Sequence, residues 1–305
     1  MIAVSVLIVS YRTRELTLRA VTSALASGPD VEVVVVDNAS GDGTVESLHA
    51  LKEDRLRVEA RASNDGYGVA ANHATRLSSG EILVFLNSDA ELPSDALSQL
   101  TADVRARRGR CVVAPRLVSL DGHVQLSAGL RPAPFDLAVR ALGLARLRAI
   151  VDRVPLVSSM VRRSRLASEY RSAAEATEPM ETSMVSFACA AMGRDAFAEV
   201  GGFDERFFLY FEDADVCRRA ADAGMPIRYL PSAVVTHAGG ASTVGDYHYT
   251  PMHARSMRQY LEKWWGSPGA ALAILLLWLR LVGHALVLHP GTGNAFAALR
   301  AAFRP

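Results

Sequence analysis

The first 115 residues are filled by an alternation that leaves few architectures open: short Val/Ile-rich runs separated by stretches with the apolar spacing of a helix. The runs fall at 2–9, 31–36, 56–60, 82–86 and 111–114, and the helix-like stretches at 14–26, 43–52, 67–78 and 94–107. Runs that are continuously apolar suit strands buried on both faces, and connections of ten or so residues suit parallel neighbours. The pattern predicts an α/β class, a mainly parallel sheet flanked by helices. No basic leader or cleavage signal precedes the first run, so Met1 to Val9 is expected to be a strand and not a signal peptide.

Composition narrows the function classes. Half of the 305 residues are apolar, enough for one large core, and a formal net charge of +1 removes any whole-molecule electrostatic case for nucleic acid. Cys111, Cys189 and Cys217 are widely spaced and make no metal-ligand pattern with His, which fits a reducing, cytoplasmic compartment. Cys189, within Phe187-Ala188-Cys189-Ala190-Ala191, suits a small buried hydrophobe better than a nucleophile.

Sheets of this kind bind ligands beyond the carboxyl ends of their strands, so the residues after each run carry the functional argument. They are Ser10-Tyr11-Arg12, Asp37-Asn38-Ala39-Ser40-Gly41-Asp42-Gly43-Thr44, Asn64-Asp65-Gly66-Tyr67-Gly68 and Asn87-Ser88-Asp89. Each alone is ordinary turn and cap chemistry; four on one sheet edge point to a polar ligand. Neither a Gly-x-Gly-x-x-Gly turn nor a Gly-x-x-x-x-Gly-Lys-Ser/Thr loop is present, which disfavours the usual dinucleotide and phosphate cradles. Asp37 is placed to accept hydrogen bonds from a base or ribose. Asp89 is a hard oxygen donor suited to Mg²⁺ or Mn²⁺, with a diphosphate supplying further oxygens.

A second cluster lies far along the chain. Phe207-Phe208-Leu209-Tyr210-Phe211 leads into Glu212, Asp213 and Asp215, so three carboxyls share an aromatic surround. Burial there raises a carboxyl pKa toward the range of a general base, and neighbouring acids push the values apart. The same acids would also serve as helix N-terminal residues opposite the dipole.

Taken in register, Val4 to Tyr11, Val35 to Thr44, Asn87-Ser88-Asp89, and Gly201-Gly202-Phe203-Asp204-Glu205 followed by Glu212-Asp213-Ala214-Asp215 resemble glycosyltransferase family 2. The likeness spans roughly residues 2–243 and is nearest the bacterial rhamnosyltransferase-like branch, which commonly carries the Asn-x-Gly-x-Gly element of Asn64 to Gly68 and a late His such as His237. It implies a GT-A fold, Rossmann-like, and inverting transfer of a sugar from a nucleotide-diphosphate donor. The expected halves are 1–115 for the donor and 116–245 for the acceptor. By the same resemblance Ser10, Tyr11, Asp37 and Asn38 line the nucleotide pocket, with Gly66, Gly68 and Asn72 on the helix beneath it. Asn87, Ser88 and Asp89 stand at the family's Asp-x-Asp motif, with Asn87 in place of the first acid, and Asp89 and His237 are the expected ligands of Mg²⁺ or Mn²⁺. Asp213 matches the catalytic base, and Glu212 and Asp215 would orient it or bind acceptor hydroxyls. The favoured donor is dTDP-rhamnose and the acceptor a cell-surface polysaccharide or lipid-linked glycan; a galactofuranosyl or other hexosyl UDP donor is the nearest rival. A sugar-phosphate nucleotidyltransferase or a non-catalytic carbohydrate-binding relative ranks below both.

Two segments suggest a membrane surface. Between Arg131 and Arg171 nine Arg stand against Asp136, Asp152 and Glu169 at helical spacing, a basic insert that would meet anionic lipid or a lipid-diphosphate acceptor, or else form a solvated face or a flexible acceptor lid. The C-terminal tail, 246–305, is helical in pattern, and its apolar stretch 270–288 contains Arg280, which argues against a simple span. Tyr260, Trp264 and Trp265 beside Arg258 and Lys263 are expected to form an interfacial belt, attaching the protein peripherally to the cytoplasmic face of the plasma membrane.

Overall fold

The computed structural model describes residues 3–125, 127–134, 173, 175–239 and 251–286. The apolar runs form β1 (Val4–Ser10), β2 (Val31–Asp37), β3 (Leu56–Ala60) and β4 (Ile82–Asn87), with α1 (Arg14–Leu25), α2 (Thr44–His49) and α3 (Tyr67–Leu77) between them. There follow β5 (Ala90–Glu91), α4 (Ser94–Ala106), β6 (Val112–Val118), β7 (Val124–Gln125), β8 (Ala128–Gly129), β9 (Met180–Thr182), β10 (Met184–Val185) and β11 (Cys189–Gly193). The last elements are α5 (Arg194–Glu199), α6 (Glu212–Asp222), β12 (Ile227–His237) and α7 (Pro251–Leu286), which is two helical pieces joined at a kink at Gly266. Each expected run and helix in the first 115 residues is found within a few residues of its expected ends.

Side chains alternate across the sheet because a strand has a period of two. Val4, Val6 and Ile8 of β1, with Val33 and Val35 of β2, face Ala20, Val21 and Ala24 of α1 and Leu97, Leu100 and Val104 of α4. Leu7, Val34, Val36 and Phe85 face Ala70, Ala71 and Ala74 of α3, Phe197 of α5 and Val216 and Ala220 of α6. Both faces are thus covered, which explains why these strands read as unbroken apolar runs.

The sheet order is β3-β2-β1-β4-β11-β6-β12-β5, with β7 beside β6 and β9 beside β12. Strands β1 to β4 are mutually parallel, β11 runs antiparallel to β4 and β6, and β12 is parallel to β6. The carboxyl ends of β1, β2, β4 and β12 therefore share one edge with the start of β11. The chain winds outward from β1 to β3 and returns on the other side at β4, so a crevice opens between the tips of β1 and β4. The boundary expected at residue 115 falls inside β6, and one sheet serves both halves.

Candidate active site

The tips of β1, β2 and β4 converge as their sequence positions suggest. Ser10 Oγ lies 3.0 Å from Thr17 Oγ1, and Thr13 Oγ1 donates to Ser88 Oγ at 2.9 Å, so hydroxyls bridge the crevice between β1 and β4. Asp37, only 2% exposed, accepts from the Ser40 backbone N–H at 2.9 Å and from the Ser40 hydroxyl. Ser40 Oγ in turn accepts from the Arg12 N–H at 2.9 Å. A cleft of about 440 Å³ opens beside Asp37, lined also by Gly43, Thr44, Ala60 and Arg61. Within it Arg61 pairs with Asp65 at 2.7 Å while its buried Nε has no hydrogen-bond partner, as has Asn38 Oδ1 nearby. Buried polar atoms without partners are costly unless a ligand supplies one. Arg61 was missed by sequence reasoning because an Arg after a short strand carries no pattern. Tyr11 stands at the rim with the Arg12 guanidinium 5.1 Å from its ring centre.

The Asn-x-Gly-x-Gly element, expected on the helix under the nucleotide, also makes contacts that the sequence did not suggest. Its partners lie in the segment before α6. A Cβ on Gly66, whose φ is +101°, would meet the Phe208 carbonyl oxygen at 2.5 Å, and one on Gly68 would meet Phe203 Cβ at 3.1 Å. Asn72 accepts from the Phe203 N–H at 2.9 Å and donates to the Phe203 carbonyl at 2.9 Å. Gly66 still touches the nucleotide side, since its carbonyl accepts from Asn38 Nδ2 at 3.2 Å. The two glycines let α3 approach closely and set Tyr67 against the acidic cluster, where burial and the charges of Glu212 and Asp213 push its phenol pKa up.

Asp89 and His237 meet at the end of β4 although 148 residues apart in sequence, because β12 is delivered to the same edge. Asp89 Oδ1 lies 3.2 Å from His237 Nε2, and Asn87 Nδ2 lies 3.3 Å from the same nitrogen. Two ligands of one octahedral ion, each about 2.1 Å from it at right angles, are about 3 Å apart, so this pair fits a divalent cation. Among the described residues no group of three or more His, Cys, Asp or Glu side chains could hold a metal ion. The donor set is therefore incomplete without oxygens from a ligand. Gln125, which carried no signal in the sequence, flanks the far side of the His237 ring at 2.7 Å.

The three acids of α6 separate by environment. Asp213 is partly exposed, whereas Glu212 and Asp215 are buried. Burial pushes the carboxyl pKa values of Glu212 and Asp213 up, Glu212 further because Asp213 is beside it. Asp213 Oδ1 accepts from the Ala214 N–H at 2.7 Å, and its carboxylate also takes a bond from the Phe187 backbone. The next residue, Ala188, accepts from the Asn87 N–H at 2.9 Å. One residue step along the chain thus separates the anchor of Asp213 from the tip of β4. A partly open carboxylate of raised basicity, anchored next to the strand that ends at Asn87, is equipped to take a proton from a hydroxyl.

Asp215 faces elsewhere. It is fully buried, with Arg219 at 2.8 Å, Lys263 at 2.6 Å and the Trp264 indole N–H at 3.0 Å. Lys263 also pairs with Asp204 at 2.8 Å, whose carboxyl pKa is held well below the ordinary range by Arg206 and Lys263 despite burial. Ser256 Oγ donates to the Leu209 carbonyl at 2.8 Å, and Tyr260 packs on Phe211 with ring centres 5.3 Å apart. Arg218 lies 4.1 Å from the Trp264 ring and 4.7 Å from the Trp265 ring. The expected interfacial belt is thus corrected: Tyr260 is fully buried, and Lys263, Trp264 and Trp265 grip the segment that precedes and begins α6. Tyr210 and Phe211, just before α6, both have φ near +70°, a costly conformation for non-Gly residues that persists where packing enforces it. Cys189 is buried, its thiol pushed up to about 12 by desolvation, as befits a packing residue. Among the described residues no helix is long and apolar enough to cross a membrane, and residues 135–171 of the basic insert lie outside the described residues.

Known proteins share this architecture and sequence. Solved structures of a mannosyltransferase from Pyrobaculum calidifontis in complex with GDP-Man and Mn²⁺ (TM-score 0.56, 20% identity, 98% of this chain and 85% of that one) and of S. aureus TarS 1-349 in complex with UDP-GlcNAc (TM-score 0.58, 16% identity, 98% and 80%) have the same fold. The N-acetylglucosaminyl-diphospho-decaprenol L-rhamnosyltransferase of Mycobacterium tuberculosis is 29% identical over 265 residues, covering 80% of each chain. The model of the family described as Glycosyl transferase family 2 matches residues 5–201. With a GT-A fold and the family's motifs gathered on one sheet edge, the chain belongs to glycosyl transferase family 2 and is a glycosyltransferase.

Proposed function

We propose that the protein transfers a deoxyhexose, rhamnose from dTDP-rhamnose first, with inversion to a lipid-linked glycan or polysaccharide acceptor of cell-wall or cell-surface synthesis. The observation that carries the chemistry is the anchoring of Asp213, of raised basicity, on the Phe187 backbone, one residue before the Ala188 that pairs with Asn87 at the tip of β4, where Asp89 and His237 face each other. The choice of rhamnose and of a lipid-linked acceptor is supported by likeness to the mycobacterial rhamnosyltransferase, and so rests on sequence similarity.

Asp213 takes the proton of an acceptor hydroxyl as that oxygen bonds to the anomeric carbon. The bond from that carbon to the nucleotide diphosphate breaks on the opposite face, which inverts the centre. Asp37 and Arg61, which line the cleft, hold the nucleotide together with the neighbouring Asn38. Mg²⁺ or Mn²⁺, held by Asp89 and His237, would offset charge gathering on the departing diphosphate. Tyr67 shields the acid pair from water and Glu212 remains the more strongly protonated neighbour of Asp213.

Calorimetric titration with dTDP-rhamnose, UDP-galactofuranose, UDP-glucose, UDP-N-acetylglucosamine and GDP-mannose, each with and without Mn²⁺, tests the donor. Tightest binding of dTDP-rhamnose, strengthened by metal, is expected; preference for a UDP-hexose would replace rhamnose with that sugar. Peripheral attachment to the cytoplasmic membrane face keeps as its support the exposed Leu275 and Trp278 of α7. Full recovery in the supernatant of a low-salt membrane preparation would end it.

A further inference from the structure

Gln125 belongs to none of the sequence motifs, yet its side chain meets both the backbone and the ring of His237. Strand β7 pairs with β6, Gln125 opposite Leu117, and this brings the Gln125 side chain to the end of β12. Its Nε2 donates to the His237 backbone carbonyl at 2.8 Å. A carbonyl cannot accept from an amide oxygen, so that bond fixes which end of the amide is which. Oε1 is then the atom 2.7 Å from His237 Nδ1, and because Oε1 only accepts, Nδ1 must carry the hydrogen.

A neutral ring protonated at Nδ1 has its lone pair on Nε2. That lone pair has the Asn87 Nδ2 donor at 3.3 Å on one side and Asp89 Oδ1 at 3.2 Å on the other, and the contact between Nε2 and the carboxylate oxygen sets two acceptors together, which a positive charge between them satisfies. We infer that Gln125 is a positioning residue that holds His237 in the Nδ1–H tautomer and presents Nε2, beside Asp89, to a divalent cation. This rests on Asp89 and His237 being the cation's ligands. A brace that merely tied β7 to β12 would use the Nε2 bond to the carbonyl alone and would have no effect on the ring.

Two substitutions separate these roles. Gln125→Met keeps the length and loses both bonds; Gln125→Glu keeps an acceptor for Nδ1–H and loses the donor to the carbonyl. The ¹⁵N resonances of His237, recorded above the pH range in which imidazole titrates, are expected to show the Nδ1–H form in the wild type and in Gln125→Glu, and a shift toward Nε2–H in Gln125→Met. Mn²⁺ binding followed by electron paramagnetic resonance, with Mn²⁺ alone and with UDP or dTDP, is expected to weaken about 10- to 100-fold in Gln125→Met and to be largely rescued in Gln125→Glu. Should Gln125→Met fail to fold, Gln125→Asn, one methylene short, carries the same expectation. An Nε2–H ring in the wild type, or unchanged Mn²⁺ affinity in the variant, would overturn the role of Gln125 while leaving the cation site standing. A wild type that takes up no Mn²⁺ under any of these conditions would overturn both.

Discussion

At the donor edge of the sheet, Ser10, Asp37 and Asn87 are each the last residue of a strand, held by the βα unit to which they belong. Asp213 instead heads α6 behind a segment gripped from two sides, by Gly66 at the start of α3 with Gly68 and Asn72 within it, and by Ser256, Tyr260, Lys263 and Trp264 of α7. The difference is one of contact range. Donor-side groups need a strand end and a turn, while the proposed base needs two helices distant in sequence to hold Tyr210 and Phe211 in a conformation they would not adopt alone.

The largest expected effect tests that contrast at the carboxyl itself. Asp213→Asn should lower kcat about 10²- to 10⁴-fold with donor affinity unchanged in calorimetry; turnover within tenfold of wild type would remove Asp213 from the role of base. Next, Asp89→Ala should lower kcat about 10²- to 10³-fold and also weaken Mn²⁺-dependent donor binding, a signature on the donor side that Asp213→Asn lacks. If both variants lost donor affinity alike, the two regions would not be separable.

Lys263→Met probes the grip of α7. Removing one cation from between Asp204 and the buried Asp215 should cost about 2–3 kcal/mol of stability in denaturant unfolding, Arg219 remaining as a partner of Asp215. At a temperature where the variant is folded, kcat should fall with donor affinity intact, because the disturbance reaches the segment before α6 and not the tips of β1 and β2. A matching loss of donor affinity would mean that α7 stabilises the whole sheet edge.

The smallest effect concerns pH. Asp213 and Glu212 have raised carboxyl pKa values in the folded protein, so the acid limb of kcat/KM should lie above the ordinary carboxylate range, and activity should fall as pH drops through it. The sign for stability is opposite: the folded state binds these protons more tightly than the unfolded chain, so the penalty of burying the acids is present at high pH and is relieved as pH falls toward about 4. Glu212→Gln should therefore raise the thermal midpoint at about pH 8 and much less at about pH 5. An equal gain at both would show that the Glu212 carboxyl binds its proton no more tightly in the folded protein than in the unfolded chain.

Much of the donor side was legible in the sequence. The runs from β1 to β6 and the helices between them lie close to their expected positions, because a strand buried on both faces must be apolar throughout and a parallel crossover must be long. The polar tips followed, since a parallel sheet puts its strand ends on one edge. Less visible was the use made of particular side chains. Gly66, Gly68 and Asn72, expected on the helix under the nucleotide, also hold Phe203 and Phe208, and Asp215, expected to orient the base or bind acceptor hydroxyls, is buried against Arg219, Lys263 and Trp264. The aromatic and basic residues from 258 to 265 have the composition of a membrane belt; their burial on the segment before α6 depends on where a helix docks.

The sequence by itself determined the α/β class, the sheet edge on which the polar strand tips gather and the family, because these depend on periodicity and on residues close together in the chain. Only the tertiary structure decided that His237 reaches Asp89, that Gln125 orients it, and that α7 grips the loop leading to Asp213. Those contacts join residues tens to well over a hundred positions apart, and packing geometry, which no local pattern encodes, selects them.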